Sequence, residues 1–162
     1  MDKKEDFEII KQFGPSILKV KIPEEILNQI NNYVDSVIKN SELSSRLNYG
    51  NQLVGDVTQE IKLEPNIMQT SGWGNFLGLC VGKWIASELG EKITKFNILE
   101  SWVVRQFKNE YNPIHWHSGH ISGAGFLKVP KVLGKHVQEK ENKVYKGGNL
   151  QLVHGTRMFL NN

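Results

Sequence analysis

Ile26, Leu27, Ile30, Val34, Val37 and Ile38 recur at the three- and four-residue spacing of a single helical face. This stripe constrains the fold more than any other feature, because a helix with one apolar face needs a partner to cover it. Pro23 stands where a missing N–H costs nothing, so it opens the helix. Glu24 and Glu25 follow in the first turn, where the helix dipole favours negative charge. The helix is expected to end near Asn40. A second helix is expected from Trp73 to Leu89, with Trp73, Phe76, Leu77, Cys80, Val81, Trp84 and Leu89 on one face and Gly90 as the stop. Gly78 and Gly82 weaken it or allow close packing.

The rest of the chain reads as short extended pieces. Glu8–Ile10 and Ile17–Val20 are expected strands around a turn at Gly14-Pro15. Residues 41–70 are polar and read as an irregular connection. From Phe96 to Phe107, Ile98, Trp102 and Val104 alternate with Asn97, Ser101 and Arg105, the pattern of a half-buried strand. Asn109–Pro113 is a turn, Ile121–Val129 a further strand stopped by Pro130, and Gly148–His154 alternates again. Helices first and strands later point to an α+β fold. The expected organisation is one domain over 1–162, with a helical half at 1–92 and a β-rich part at 93–162.

Composition excludes several classes. The net charge of +3 is spread without a basic run, so nothing points to nucleic acid. Cys80 is the only cysteine, which leaves no internal disulfide and no Cys-x-x-Cys zinc motif. As a thiol on an apolar helix face it reads as buried and inert. No apolar run is long enough for a membrane span or a signal peptide. The expectation is a cytoplasmic protein.

Three of the five histidines, His115, His117 and His120, fall within six residues. In an extended segment, residues i and i+2 share a face, so His115 and His117 can meet one metal ion from the same side. His120 joins them only if the chain turns at Ser118-Gly119. Imidazole suits iron, zinc, copper and nickel. Two ligands fall short of the usual three, so a surface pair without chemistry is the competing reading.

From Phe96 to Arg157 the chain resembles a family of small 2-oxoglutarate–Fe(II) oxygenases found in bacteria and their phages. The likeness rests on Ser101-Trp102-Val103-Val104, on His115-x-His117 with Ser122-Gly123, and on Gly148-Asn149-Leu150-Gln151-Leu152 followed by Arg157. Phe13-Gly14-Pro15 before the first helix extends it more loosely. The resemblance implies a jelly roll, here a partial double-stranded β-helix with two N-terminal helices on one sheet. It implies Fe(II) as metal and 2-oxoglutarate as co-substrate, oxidising an unactivated C–H bond in a bacterial or phage-infected cell. His115 takes the first ligand position. His117 takes the position that a carboxylate holds in the wider superfamily, which raises the charge of the site by one.

Other departures from the family bear on activity. Gly125-Phe126 stands where the family has aromatic hydroxyls after Ser-Gly. The sequence stops at Asn162, ahead of the family's distal histidine and its carboxylate-binding arginine, so a C-terminally truncated member is expected. His154 precedes the distal position. Tyr111 and Arg105 are candidates for the co-substrate pocket, against a turn-capping tyrosine and an outward arginine. Trp116 is a candidate substrate wall, and Trp102 reads as core. His136 reads as solvated. The rival function is a non-catalytic jelly-roll binding module that has lost its metal. An open sheet edge would leave either form prone to dimerise.

Overall fold

The computed structural model describes residues 7–11, 14–131 and 150–154. The chain forms two compact units, Met1–Leu127 and Lys128–Asn162.

The first unit is α+β. Strands β1 (Phe7–Ile10) and β2 (Ile17–Val20) form an antiparallel hairpin, Phe7 opposite Val20 and Ile10 opposite Ile17. Helix α1 (Glu24–Lys39) follows, then a short α2 (Ser41–Arg46) capped by Asn40, whose Oδ1 accepts the Leu43 N–H at 3.0 Å. A single 3₁₀ turn spans Gly50–Gln52. Strand β3 (Gln59–Lys62), helix α3 (Pro65–Thr70), helix α4 (Trp73–Leu89) and strand β4 (Trp102–Arg105) complete it. β3 and β4 pair antiparallel, with Glu60 opposite Val104 and Lys62 opposite Trp102. The free edge of β3 is taken by residues 47–49: Lys62 N–H donates to Leu47 O at 2.9 Å and Tyr49 N–H to Glu60 O at 2.7 Å.

Helix α1 organises the core as its stripe requires. Ile26, Ile30 and Val34 are buried with Leu63, and Val103 of β4 packs against them. Val37 is buried with Leu47 and Ile61 of β3. One face of the β3–β4 ladder therefore rests on α1, carrying Ile61 and Val103, and the other carries Glu60, Lys62, Trp102 and Val104. The hairpin lies on α4, where Trp84 Nε1 donates to Ser16 Oγ at 2.8 Å and Lys11 pairs with Glu88 at 3.2 Å. Gly90, at φ +69°, ends α4 in the left-handed region that glycine enters freely.

Several expectations change. Residues 41–70 are not irregular: they supply α2, α3 and β3, the partner of β4. The strand expected over Phe96–Phe107 is only the four residues of β4, and Ile121–Val129 forms no strand. Ser122, Gly123 and Gly125 leave that segment with little side chain to pair across a sheet. The expected two helices on one sheet are four helices and two two-stranded sheets among the described residues. Leu89 and Leu79 of α4 are exposed, so the apolar face of that helix is narrower than its composition. Cys80 is half-buried, not fully so, and burial pushes its thiol pKa up while Lys83 pulls it down.

In the second unit, described residues 128–131 and 150–154 form no strand, and Leu150, Leu152 and Val153 are exposed. Gly148-Asn149, His136 and Arg157 lie outside the described residues. No helix among the described residues is long and apolar enough to cross a membrane.

Candidate metal centre

The histidine segment is placed by what precedes it. After β4 the chain turns through Phe107–Glu110, with Asn109 in the left-handed region at φ +70°. The Glu110 carboxylate closes this turn. It accepts the Phe107 N–H at 2.7 Å, the Thr58 hydroxyl at 2.6 Å and the Thr58 N–H at 3.1 Å. These bonds, the Thr58 hydroxyl first, hold its pKa below the usual glutamate value. A paired bridge, Asp56 N–H to Tyr111 O at 3.0 Å and Tyr111 N–H to Asp56 O at 3.3 Å, ties the chain to the approach to β3. Tyr111 therefore acts here through its backbone, with its side chain largely exposed.

Four residues on, His115 and His117 come together. Their Nε2 atoms are 3.1 Å apart and their ring centroids 4.7 Å, a convergence that the i, i+2 spacing allows. The His117 ring also stands 5.4 Å from the ring of Trp102, centroid to centroid. His117 therefore stands beside Trp102, which belongs to the ladder face opposite Ile61 and Val103. Trp102, expected in the core, is instead shared between Tyr49, at 5.7 Å, and His117. Trp116, between the two histidines, is 59% exposed.

The protonation pattern suits a ligand. His115 Nδ1 lies 2.7 Å from the carbonyl oxygen of Pro113, which only accepts, so Nδ1 carries the proton. In that tautomer the Nε2 of His115 accepts a hydrogen bond from His117 Nε2, 3.1 Å away. A backbone carbonyl holding the far ring nitrogen is the usual outer-shell support of a metal-bound histidine. Desolvation and then the electrostatic effect of His115 hold His117 below the ordinary histidine pKa, which favours its neutral form. Two nitrogens 3.1 Å apart, each about 2.0–2.1 Å from one ion, subtend roughly 95–102° at it. That angle lies between the octahedral and tetrahedral values.

Arg105 is engaged elsewhere. Arg105 Nη1 donates to Gln59 Oε1 at 3.1 Å, and its guanidinium lies 5.8 Å from the Phe107 ring, on the α1 side of the ladder. His120 follows Gly119, whose φ of +98° makes the expected turn, yet no third His, Cys, Asp or Glu among the described residues completes a ready metal cluster. His154 belongs to the second unit.

Sequence reasoning missed Glu60. It is 1% exposed, and neither carboxylate oxygen has a hydrogen-bond partner. Burial pushes its pKa up, Glu110 adds to that, and His115 pulls it down. The available signal was the alternation of Ile61 and Leu63, which marks a strand and assigns Glu60 to the face opposite Ile61. No protein-family model, curated protein or solved structure matches the chain.

Proposed function

We propose that His115 and His117 are metal ligands of an Fe(II)- and 2-oxoglutarate-dependent oxygenase acting by hydroxylation. The observation that supports this reading is the histidine pair itself: Nε2 atoms 3.1 Å apart, with His115 fixed by Pro113 as the Nδ1–H tautomer. The oxygenase chemistry and the jelly roll come from the resemblance of the Ser101–Val104, His115-x-His117 and Gly148–Leu152 blocks. Bound iron would supply oxygen activation and so replace a general acid or base. The protein's own part is to hold the two imidazoles convergent, with Trp102 against one of them.

A second reading is a non-catalytic binding module. It is favoured by the lack of a complete three-ligand cluster among the described residues. Succinate release separates the two. Fe(II)-dependent conversion of 2-oxoglutarate to succinate, lost by orders of magnitude in His115→Ala, supports the oxygenase. Metal binding without turnover under any divalent ion supports the module.

A further inference from the structure

We propose that Glu60 is a proton-controlled latch for the turn at residues 49–53: the turn closes over the neutral acid and lifts when the carboxyl ionises. This is independent of the reading of the histidines as metal ligands.

The geometry sets a burial against a charge. Glu60 is 1% exposed, and neither side-chain oxygen has a hydrogen-bond partner among the described residues. The 3₁₀ turn at Gly50–Gln52 closes onto it: a Cβ built on Gly50 would lie 3.2 Å from Glu60 Oε2 and 3.2 Å from Asn48 Oδ1. The donors of this turn are committed elsewhere. Gly50 N–H goes to Asn48 Oδ1 at 2.9 Å, and Tyr49 N–H goes to the backbone oxygen of Glu60 at 2.7 Å. A buried acid without partners is tolerated far better neutral than ionised.

The charged and titratable groups around Glu60 do not reverse this. On its own strand Lys62 shares its face, with Nζ 5.0 Å from the centroid of the Tyr49 ring. From the turn comes Tyr49, whose hydroxyl is hydrogen-bonded to Glu100. β4 contributes Trp102 and Val104 to this face, neither of them charged. Beyond β4, Glu110 opposes ionisation of Glu60 and His115 favours it, and burial outweighs both.

Lifting the turn is the least costly way to bring water to an ionised Glu60. No residue from 48 to 59 is buried. The turn's own bonds, Gln52 N–H to Tyr49 O and Leu53 N–H to Gly50 O, move with it. It is anchored on one side by the Tyr49 bond to Glu60 O, backed by Lys62 N–H to Leu47 O, and on the other by the Asp56–Tyr111 bridge. A segment with few buried contacts between fixed anchors opens locally at less cost than global unfolding. Opening would also take the Tyr49 ring off Trp102, 5.7 Å away centroid to centroid. The closed form holds its proton to higher pH than the solvated open form does. Between the ordinary glutamate value and the raised one, each pH unit should therefore reduce the ratio of closed to open turn about tenfold.

Native-state hydrogen exchange on the full chain, in chelator and from acid to neutral pH, tests this. The reporter is the Tyr49 N–H, read as a protection factor so that the intrinsic pH dependence of exchange is removed, with the Ile30 N–H of the α1 core as reference. In wild type, Tyr49 protection should fall about tenfold per pH unit above the ordinary glutamate value. It should also be insensitive to low urea, the mark of an opening that exposes little surface. Glu60→Gln cannot ionise and should make Tyr49 protection flat with pH. Glu60→Met should do the same, and serves if the amide variant folds poorly. Tyr49 protection that falls with urea in step with Ile30 would overturn the latch, since the segment would then open only with the whole fold. So would a pH-independent wild type, or a pH slope that persists in the Glu60 variants.

Discussion

Replacing Glu60 by methionine should stabilise the metal-free protein at neutral pH. The side chain is 1% exposed and both oxygens lack hydrogen bonds, so folding strips the carboxylate of water and returns no hydrogen bond. Leaving a buried polar group unsatisfied costs about 1–3 kcal/mol, and more when it is charged. Even for a buried ion pair, apolar replacement at similar volume is often neutral or stabilising by about 1–4 kcal/mol, and Glu60 has no such partner among the described residues. Methionine has nearly the shape of glutamate, so packing against Val104 and Gly50 is kept, and we expect a gain of about 1–3 kcal/mol. For a chain of this size that is roughly 2–4 °C in Tm per kcal/mol. The pH dependence carries a further signature. The folded-state pKa of Glu60 is raised, so the folded chain holds this proton to higher pH than the unfolded chain does. Wild type therefore loses stability as pH rises from the ordinary glutamate range through the raised value. Methionine lacks this loss, so the gap between variants should open with rising pH and narrow on acidification. Urea and thermal unfolding followed by circular dichroism in chelator, at acid and neutral pH, measure it. A methionine variant less stable than wild type by 1 kcal/mol or more at neutral pH would refute the reasoning, since Glu60 would then be making a stabilising interaction.

Ile30→Ala should cost about 2–5 kcal/mol of unfolding free energy by urea titration, because Ile30 is 1% exposed at the centre of the α1 core and its removal leaves a cavity. Glu110→Gln should lower Tm at neutral pH and leave it unchanged in strong acid. The depressed pKa of Glu110 means that its contribution is present above the ordinary glutamate range and lost as pH falls through the folded value. Metal affinity of the wild type should fall on acidification through the histidine range. Protons compete with the ion for imidazole nitrogen, so in acid each ion bound should release protons, measurable as a buffer-dependent heat of binding.

Much of the fold is legible because periodicity and caps are local. The α1 stripe, Pro23 and Asn40 at its ends, Gly90 after α4 and the β1–β2 hairpin all stand where the sequence puts them. The i, i+2 convergence of His115 and His117 is equally local. What escaped depends on partners distant in sequence. β3 is four residues long, with glutamate at its most buried position, and exists because β4 and residues 47–49 pair with its two edges. Glu60 looks like surface until that pairing buries it. Trp102 reads as core by alternation, yet the face it occupies is the one opposite α1. Ile121–Val129 has strand-like composition, and its glycines and exposed Phe126 and Val129 leave it unpaired.

The central claim is that His115 and His117 share one ion through their Nε2 atoms. Long-range ¹H–¹⁵N NMR of the imidazole nitrogens, recorded on the full chain before and after one equivalent of Zn(II), tests it directly. Before metal, His115 should show the Nδ1–H tautomer that its bond to Pro113 imposes. After metal, the Nε2 signals of His115 and His117 should move together while those of His120 and His154 stay in place. An Nε2–H tautomer at His115, or a Zn(II) response confined to other histidines, would contradict the account.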